Sequence, residues 1–167
     1  MVNKIEILSH TQVEQKINRI AYELLETNFS EDKLILVGIT GQGLTLAKKI
    51  EKVLKQITEK PVELYAITIE KDNPINHEIV LDVDLNYLSG KSVILVDDVL
   101  NSGRTLIYSA QHLLKAPLKK LQTVCLVDRW HRRFPIRADF VGLTLSTTLQ
   151  EHIEVNFEDN NNKVYLY

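Results

Sequence analysis

Continuous hydrophobic runs alternate with amphipathic stretches along most of this chain. The hydrophobic runs, typical of strands that are covered on both faces, lie at 34–39, 93–96 and 121–127. Between them, apolar residues recur at helical spacing over 11–27, 44–57 and 105–116. Strands that alternate with helices predict a parallel sheet with right-handed crossovers and helices on both faces. We therefore expect an α/β fold.

Shorter elements are predicted around this framework. Short strands are expected at 5–8, 61–69 and 138–143, and a closing pair at 152–157 and 163–167, joined by a turn at 159–162. Apolar and polar residues alternate over 78–88, which predicts a half-exposed antiparallel strand. The segment 71–88 as a whole is expected to leave the core as a hairpin or flap. On the first helix, Lys16 and Arg19 are predicted to be solvated.

Length and composition narrow the possibilities. A chain of 167 residues with 44% hydrophobic residues is expected to form one domain, 1–167, with a substantial core. The net charge of −2 excludes a global field that would recruit nucleic acid. The lone Cys125 lies within an apolar run, which favours a buried structural thiol. Residues 1–6 do not resemble a signal peptide, and no apolar run reaches membrane-spanning length, so we expect a cytoplasmic protein.

The stretch 93–105 combines an acidic pair with a predicted anion site. A buried strand ends in Asp97 and Asp98, and a short turn leads into the helix that begins near Thr105. The first N–H groups of a helix lack intrahelical partners, and the helix dipole favours negative charge there. Two carboxylates beside such an anion site require something that bridges the two, either a divalent cation or a sugar rich in hydroxyls. The stretch therefore predicts a phosphorylated sugar with Mg²⁺ close by.

Two further segments are expected at the same edge of the sheet. Ligands of parallel sheets sit beyond the carboxyl ends of the strands. The glycine-containing turn 40–43 and the basic segment 128–137 both follow predicted strands, so topology brings them near Asp97 and Asp98. Taken alone, the turn is equally well explained as an ordinary strand-to-helix connection.

The stretch 93–105 resembles the phosphoribosyl diphosphate (PRPP) signature of the type I phosphoribosyltransferases. The segment 126–142 is similar to the corresponding part of the PyrR-type proteins, bacterial pyrimidine-operon attenuation regulators that also act as uracil phosphoribosyltransferases. The first helix and residues 36–39 fit as well, so the resemblance spans nearly the whole chain. It implies a single-domain, Rossmann-like parallel-sheet fold with a flexible flap at about 71–88. It also implies a small C-terminal hood, built from the N-terminal segment and 128–167.

The resemblance implies a role for each matching residue. Asp97 and Asp98 would be catalytic and contact the ribose 2′ and 3′ hydroxyls, since carboxylates accept hydrogen bonds from both. The 5′-phosphate would be bound, mainly by backbone N–H groups and two hydroxyls, at Asn101, Ser102, Gly103, Arg104 and Thr105. The diphosphate loop would be Thr40, Gly41, Gln42 and Gly43. The base pocket would be bordered by Asp128 and Arg129, and by Val141 at the end of its strand. Mg²⁺ would be bound through the substrate diphosphate, without a dedicated cluster of protein ligands.

This chain departs from the family pattern in its positive charge. The diphosphate loop usually carries an Arg or Lys, whereas 40–43 has no cation. The flap is shorter and less basic, with Lys71 where the PyrR pattern has an Arg, and Lys71 is expected to replace part of the missing charge. Trp130 stands where PyrR-type proteins have a small Gly.

Two functions therefore remain open. The first is an enzyme that joins PRPP to a nucleobase, with uracil favoured, giving UMP and diphosphate. The second is an RNA-binding regulator of pyrimidine genes that uses its PRPP site as a nucleotide sensor, with weak or no catalysis. The basic residues of the segment 128–137 are compatible with the rim of a base pocket, a subunit contact or an RNA-binding patch. They are Arg129, His131, Arg132, Arg133 and Arg137. The family also implies a homodimer or larger assembly.

Overall fold

The computed structural model describes residues 4–167. The expectation of no signal peptide rests on residues 1–6, and part of that segment lies outside the described residues. Within residues 4–167, the fold consists of two sheets and three α-helices. The helices are α1 (His10–Thr27), α2 (Gln42–Ile57) and α3 (Arg104–Leu113). The larger sheet is formed by β2 (Leu34–Ile39), β3 (Val62–Thr68), β4 (Val80–Leu81), β5 (Ser92–Leu100), β6 (Lys120–Asp128) and β7 (Phe140–Thr144). The smaller sheet is formed by β1 (Ile5–Leu8), β8 (Ile153–Asn156) and β9 (Lys163–Leu166).

The larger sheet has the order β4-β3-β2-β5-β6-β7. All of its neighbours are parallel except β3 and β4. The predicted α/β fold with a parallel sheet is therefore confirmed. The central position of β5 places Asp97 and Asp98 near the middle of the carboxyl edge of the sheet, although β5 continues to Leu100, two residues past the predicted strand end.

Helices cover both faces of this sheet, which explains why the central strands are apolar throughout. On one face, Ile94 and Val96 of β5 belong to a core cluster with α1 and α2. On the other face, Val93 and Leu95 pack in a second cluster with α3. Successive side chains of a strand point to opposite faces of the sheet. When both faces are covered, every side chain of the strand is buried, and apolar residues are favoured at all positions.

The first helix begins with a capping box. The Ser9 side chain accepts a hydrogen bond from the Gln12 N–H, and the Gln12 side chain accepts one from the Ser9 N–H. Arg19 is exposed, as predicted, and its guanidinium also donates to the carbonyls of Val141 and Gly142 at 2.9 and 3.0 Å. Arg19 thus satisfies two carbonyl groups of β7, the edge strand of the larger sheet.

The predicted strand over 78–88 is largely wrong. Only Val80–Leu81 pairs with β3, antiparallel as expected, and Leu85–Leu88 forms a 3₁₀-helix. The backbone of Asp82 and its carboxylate both bond to Ala66, and partly buried Ile79 packs on the α3-side core. The apolar residues of this segment therefore dock onto the core. Residues 71–78 are exposed except for buried Pro74, and over 79–86 partly buried and exposed residues alternate, as predicted for a half-exposed segment.

The smaller sheet joins the two ends of the described chain. Its order is β1-β9-β8, with antiparallel pairing throughout, as predicted for the closing hairpin. Val155 and Val164 enter the core cluster under α1 and α2. No helix among residues 4–167 is long and apolar enough to cross a membrane.

Candidate functional site

The loop between β5 and α3 is shaped by Gly103. Its φ of 84° is in the left-handed region, and a Cβ there would stand 2.8 Å from Cγ2 of Ile136. The Ser102 hydroxyl accepts a hydrogen bond from the Arg104 N–H at 3.3 Å. Arg133 and Phe134 donate their backbone N–H groups to the Ser102 carbonyl at 2.8 and 3.1 Å. The loop is therefore supported from behind by the basic segment, at the N-terminus of α3.

A cavity of about 150 Å³ opens in front of this loop. Its walls are formed by Lys71, by residues 97–106 and by Ile153. The structure thus brings together the acidic pair, the whole predicted 5′-phosphate loop and the lysine of the predicted flap. Ile153 reaches the cavity from β8, in the smaller sheet.

Asp97 is buried at the floor of this site, with 5% of its surface exposed. Burial and the charge of neighbouring Asp98 raise the pKa of Asp97 well above its usual value, against the opposing charge of Lys71. The Asp98 N–H donates to Asp97 Oδ1 at 3.0 Å. Two carboxylates held together at a cavity attract hydroxyl donors and cations, because either one relieves their repulsion.

The turn 40–43 lies behind the acidic pair and not in the walls of the cavity. The turn uses Gly41 at a φ of 96°, and the Thr40 N–H donates to the Ile67 carbonyl at 2.9 Å. A Cβ on Gly43 would stand 2.9 Å from Oδ1 of Asp97 and 3.1 Å from the Val96 carbonyl oxygen. The glycine at 43 therefore allows the start of α2 to touch the side chain of Asp97.

Arg129 is nearly buried and links the loop to the chain that leads into β8. Its guanidinium donates to Asn101 Oδ1 at 3.0 Å and to Thr147 Oγ1 at 3.1 Å. It also donates to the carbonyls of Thr148, at 3.3 Å, and Glu151. These donors face protein acceptors, so the structure places Arg129 as a buttress of the site, where the sequence had suggested the border of a base pocket.

Asp128 is likewise engaged within its own segment. Its carboxylate accepts the Trp130 N–H at 2.9 Å and pairs with Arg132. The guanidinium of Arg132 lies 4.7 Å from the ring centroid of Trp130, which has an unusual φ of 63°. Asp128 therefore holds the turn that follows β6.

The predicted position of Val141 at the end of its strand is wrong. Val141 is the second residue of β7, and its carbonyl accepts the bond from Arg19. Ile153 contributes apolar surface to the cavity, together with Val99, Leu100 and Leu106. Sequence reasoning missed Ile153 because the place of β8 beside the cavity depends on pairing between distant parts of the chain.

The basic segment offers less free charge than its composition suggests. Arg129 is buried, His131 contacts the Thr147 carbonyl, and Arg132 pairs with Asp128. Arg133 and Arg137 are the exposed members of this group.

No group of three His, Cys, Asp or Glu side chains within residues 4–167 is arranged to hold a metal ion. Asp97 and Asp98 nevertheless offer the oxygen ligands that Mg²⁺ prefers, so the site fits an ion that is also bound to substrate phosphates. Cys125, paired in register with Asp97, is fully buried, and burial raises the pKa of its thiol. A buried thiol of this kind is not a nucleophile.

Comparison with known proteins agrees with this geometry. Residues 4–160 match the family model described as the phosphoribosyl transferase domain. The chain is 37% identical over 164 residues to the bifunctional protein PyrR of Fusobacterium nucleatum, covering 94% of this chain and 93% of that protein. It is 36% identical to the pyrimidine operon regulatory protein of Lactococcus lactis, covering 93% and 91%. The hypoxanthine phosphoribosyltransferase of Trypanosoma cruzi is similar in fold, with a TM-score of 0.77, 18% identity and coverage of 95% and 94%.

Proposed function

Because the chain belongs to the PyrR-type branch of the phosphoribosyl transferase family, we propose that it transfers the 5-phosphoribosyl group of PRPP to a nucleobase. The acceptor is uracil, and the products are UMP and diphosphate. The observation that carries this proposal is the cavity that two carboxylates share with the loop at the start of α3.

Each wall of the cavity has a task in this reaction. The ribose 2′ and 3′ hydroxyls donate hydrogen bonds to Asp97 and Asp98. The 5′-phosphate is bound by the backbone N–H groups of residues 102–105 at the start of α3, and by the hydroxyls of Ser102 and Thr105. These contacts fix the sugar at both ends, so its C1 faces the acceptor base in one orientation.

Diphosphate leaves C1 through a transition state with positive charge on the ribose, and N1 of uracil bonds to C1 while its proton is released to solvent. The carboxylates of Asp97 and Asp98 stabilise that charge. Mg²⁺, held by the diphosphate together with Asp97 or Asp98, would neutralise the leaving group. Lys71 supplies a further positive charge. Lys71 and Arg104 are the two cationic side chains in the cavity walls.

The acceptor is proposed from two observations. The relatives with 35–38% identity are named bifunctional protein PyrR or pyrimidine operon regulatory protein. Ile153 and Val99 supply apolar surface beside Asn101, a combination suited to a small planar base with polar edges.

The test is nucleotide formation by the purified protein from PRPP and Mg²⁺ with uracil, cytosine, hypoxanthine, guanine and adenine in parallel. We expect UMP and diphosphate in equal amounts with uracil, and at least tenfold less product with each other base. Preferred use of a purine would contradict the proposal that uracil is the acceptor. No product with any base would contradict the proposal that the protein is a phosphoribosyltransferase.

A second candidate function is regulation of pyrimidine genes by RNA binding in the cytoplasm, with nucleotide in the PRPP site as the signal. The name of the Lactococcus lactis relative favours it, as do the exposed Arg133 and Arg137. A homodimer would bring two such pairs onto one assembly. Salt-sensitive binding of a pyrimidine-operon leader RNA that is lost in Arg133→Ala/Arg137→Ala would support this function. Leader RNA bound no more tightly than an unrelated RNA would exclude it.

A further inference from the structure

The side chain of Arg104 points away from the cavity floor and towards the exposed segment 70–78. Its Nη1 donates to the backbone carbonyl of Asp72 at 3.2 Å. Its guanidinium carbon lies 5.8 Å from the ring centroid of Phe134, which itself packs edge-on against Tyr108 of α3. Arg104 therefore bridges the start of α3 and the segment that carries Lys71.

Lys71 immediately precedes the residue that Arg104 holds. Lys71, Asp72 and Asn73 are all exposed, and residues 71–73 belong to no helix or strand. A segment of this kind has many conformations, and a hydrogen bond to one of its carbonyls removes a large part of that freedom. The bond from Arg104 fixes the backbone next to Lys71, and Lys71 forms part of the cavity wall.

We propose that Arg104 is a positioning residue, which holds Lys71 over the acidic pair through the Asp72 carbonyl. This inference rests on the proposed function, since it assigns Lys71 to the leaving diphosphate. The 5′-phosphate is then bound without the Arg104 side chain, by the N–H groups and hydroxyls of the loop. Because the turn 40–43 carries no cation, the position of Lys71 decides how much positive charge reaches the diphosphate.

Two ligands separate this role from direct phosphate binding. Ribose 5-phosphate has the 5′-phosphate of PRPP and lacks the diphosphate. Loss of Arg104 should therefore weaken PRPP binding and spare ribose 5-phosphate. For Arg104→Ala we expect PRPP affinity to fall about five- to tenfold, as for the loss of one hydrogen bond of typical strength. Ribose 5-phosphate affinity should stay within about twofold.

Equilibrium binding of both ligands, in the presence of Mg²⁺, is measured for the wild type, Arg104→Ala, Lys71→Ala and the double variant. Arg104→Ala should have little further effect in the Lys71→Ala background, because it acts through that lysine. Arg104→Lys, which keeps a cationic donor, should restore part of the PRPP affinity. Lys115→Ala removes an exposed charge just beyond the end of α3 and is the matched control, expected to change neither affinity.

Equal losses for PRPP and ribose 5-phosphate in Arg104→Ala would overturn the inference and assign the side chain to the 5′-phosphate. Additive losses in the double variant would overturn it as well. Failure of the proposed function has a different signature, in which the wild type binds neither ligand.

Discussion

Gly43 touches Asp97: a methyl group on the glycine would stand 2.9 Å from the carboxylate oxygen Oδ1 and 3.1 Å from the Asp97 Cα. The start of α2 and the end of β5 are therefore in direct contact beneath the cavity. This contact connects the turn 40–43 to the site, although that turn does not form its walls.

Gly43→Ala should displace the Asp97 carboxylate. A Cβ at that distance forces a shift of a buried side chain and of backbone on both elements, so we expect a loss of about 1–3 kcal/mol in the free energy of unfolding. The kcat for UMP formation should fall at least about tenfold, since small misplacements of a reacting geometry are costly. Urea unfolding and initial rates measure the two effects. Lys48→Ala, on the exposed side of the same helix, is the control and should change neither the free energy of unfolding nor kcat. An unchanged kcat in Gly43→Ala would show that the contact does not position Asp97.

Asp97→Asn should stabilise the protein and abolish its activity. The pKa of Asp97 is raised in the folded state, so the native protein binds a proton more tightly than the unfolded chain. Its stability is therefore greatest below the unfolded pKa and is lost as pH rises from about 4 through the raised folded value. The neutral amide avoids that loss, and we expect the variant to unfold at a higher denaturant concentration than the wild type at pH 7.5.

Denaturant unfolding of the wild type and Asp97→Asn at pH 4 and pH 7.5 tests this prediction. The difference between the two proteins should be large at pH 7.5 and small at pH 4. A variant that is less stable than the wild type at pH 7.5 would contradict the raised pKa and indicate that the charged carboxylate is stabilised by its neighbours.

Arg129→Met should remove the hydrogen bonds that connect the loop 101–105 to the chain before β8. The substitution leaves the acceptors at Asn101, Thr147, Thr148 and Glu151 without their donor, and the residue is nearly buried. We expect about 2–4 kcal/mol of destabilisation and a lower kcat. Arg137→Met, an exposed arginine of the same segment, should cost less than about 0.5 kcal/mol. Equal effects of the two variants on the unfolding midpoint would mean that the buried network contributes nothing specific.

Ile153→Ala should affect the acceptor base more than PRPP. Ile153 adds apolar surface to the cavity, and its truncation removes contact area while leaving the carboxylates and the phosphate loop in place. We expect the KM for uracil to rise about fivefold to thirtyfold, as for loss of about 1–2 kcal/mol of apolar contact. The affinity for PRPP should stay within about twofold of the wild type. A larger effect of Val141→Ala than of Ile153→Ala on the KM for uracil would contradict this role of Ile153 and support the predicted role of Val141 in the base pocket.

Local patterns were sufficient for the central strands and for the phosphate loop. A strand such as Leu34–Ile39, buried on both faces, must be apolar at every position, and so its residues identify it without knowledge of its neighbours. The stretch 93–105 was equally predictable, because an acidic strand end, a glycine at positive φ and a helix start are adjacent in the chain.

The errors fall where distant parts of the chain decide the structure. Alternating apolar residues over 78–88 fit an isolated strand, but docking on the α3-side core holds that segment as a short bridge and a 3₁₀-helix. The partners of Arg129 and Arg19 lie up to 123 residues away, and neither side chain's role has a local signature. Ile153 was missed for the same reason.

The most direct measurement is UMP formation from PRPP and uracil with Mg²⁺, compared between the wild type and Asp97→Asn/Asp98→Asn. We expect the wild type to form UMP and diphosphate steadily. In the variant, kcat/KM should fall at least about a thousandfold, while circular dichroism shows an intact fold. Full activity in the double variant, or no nucleotide formed by the wild type, would contradict this account.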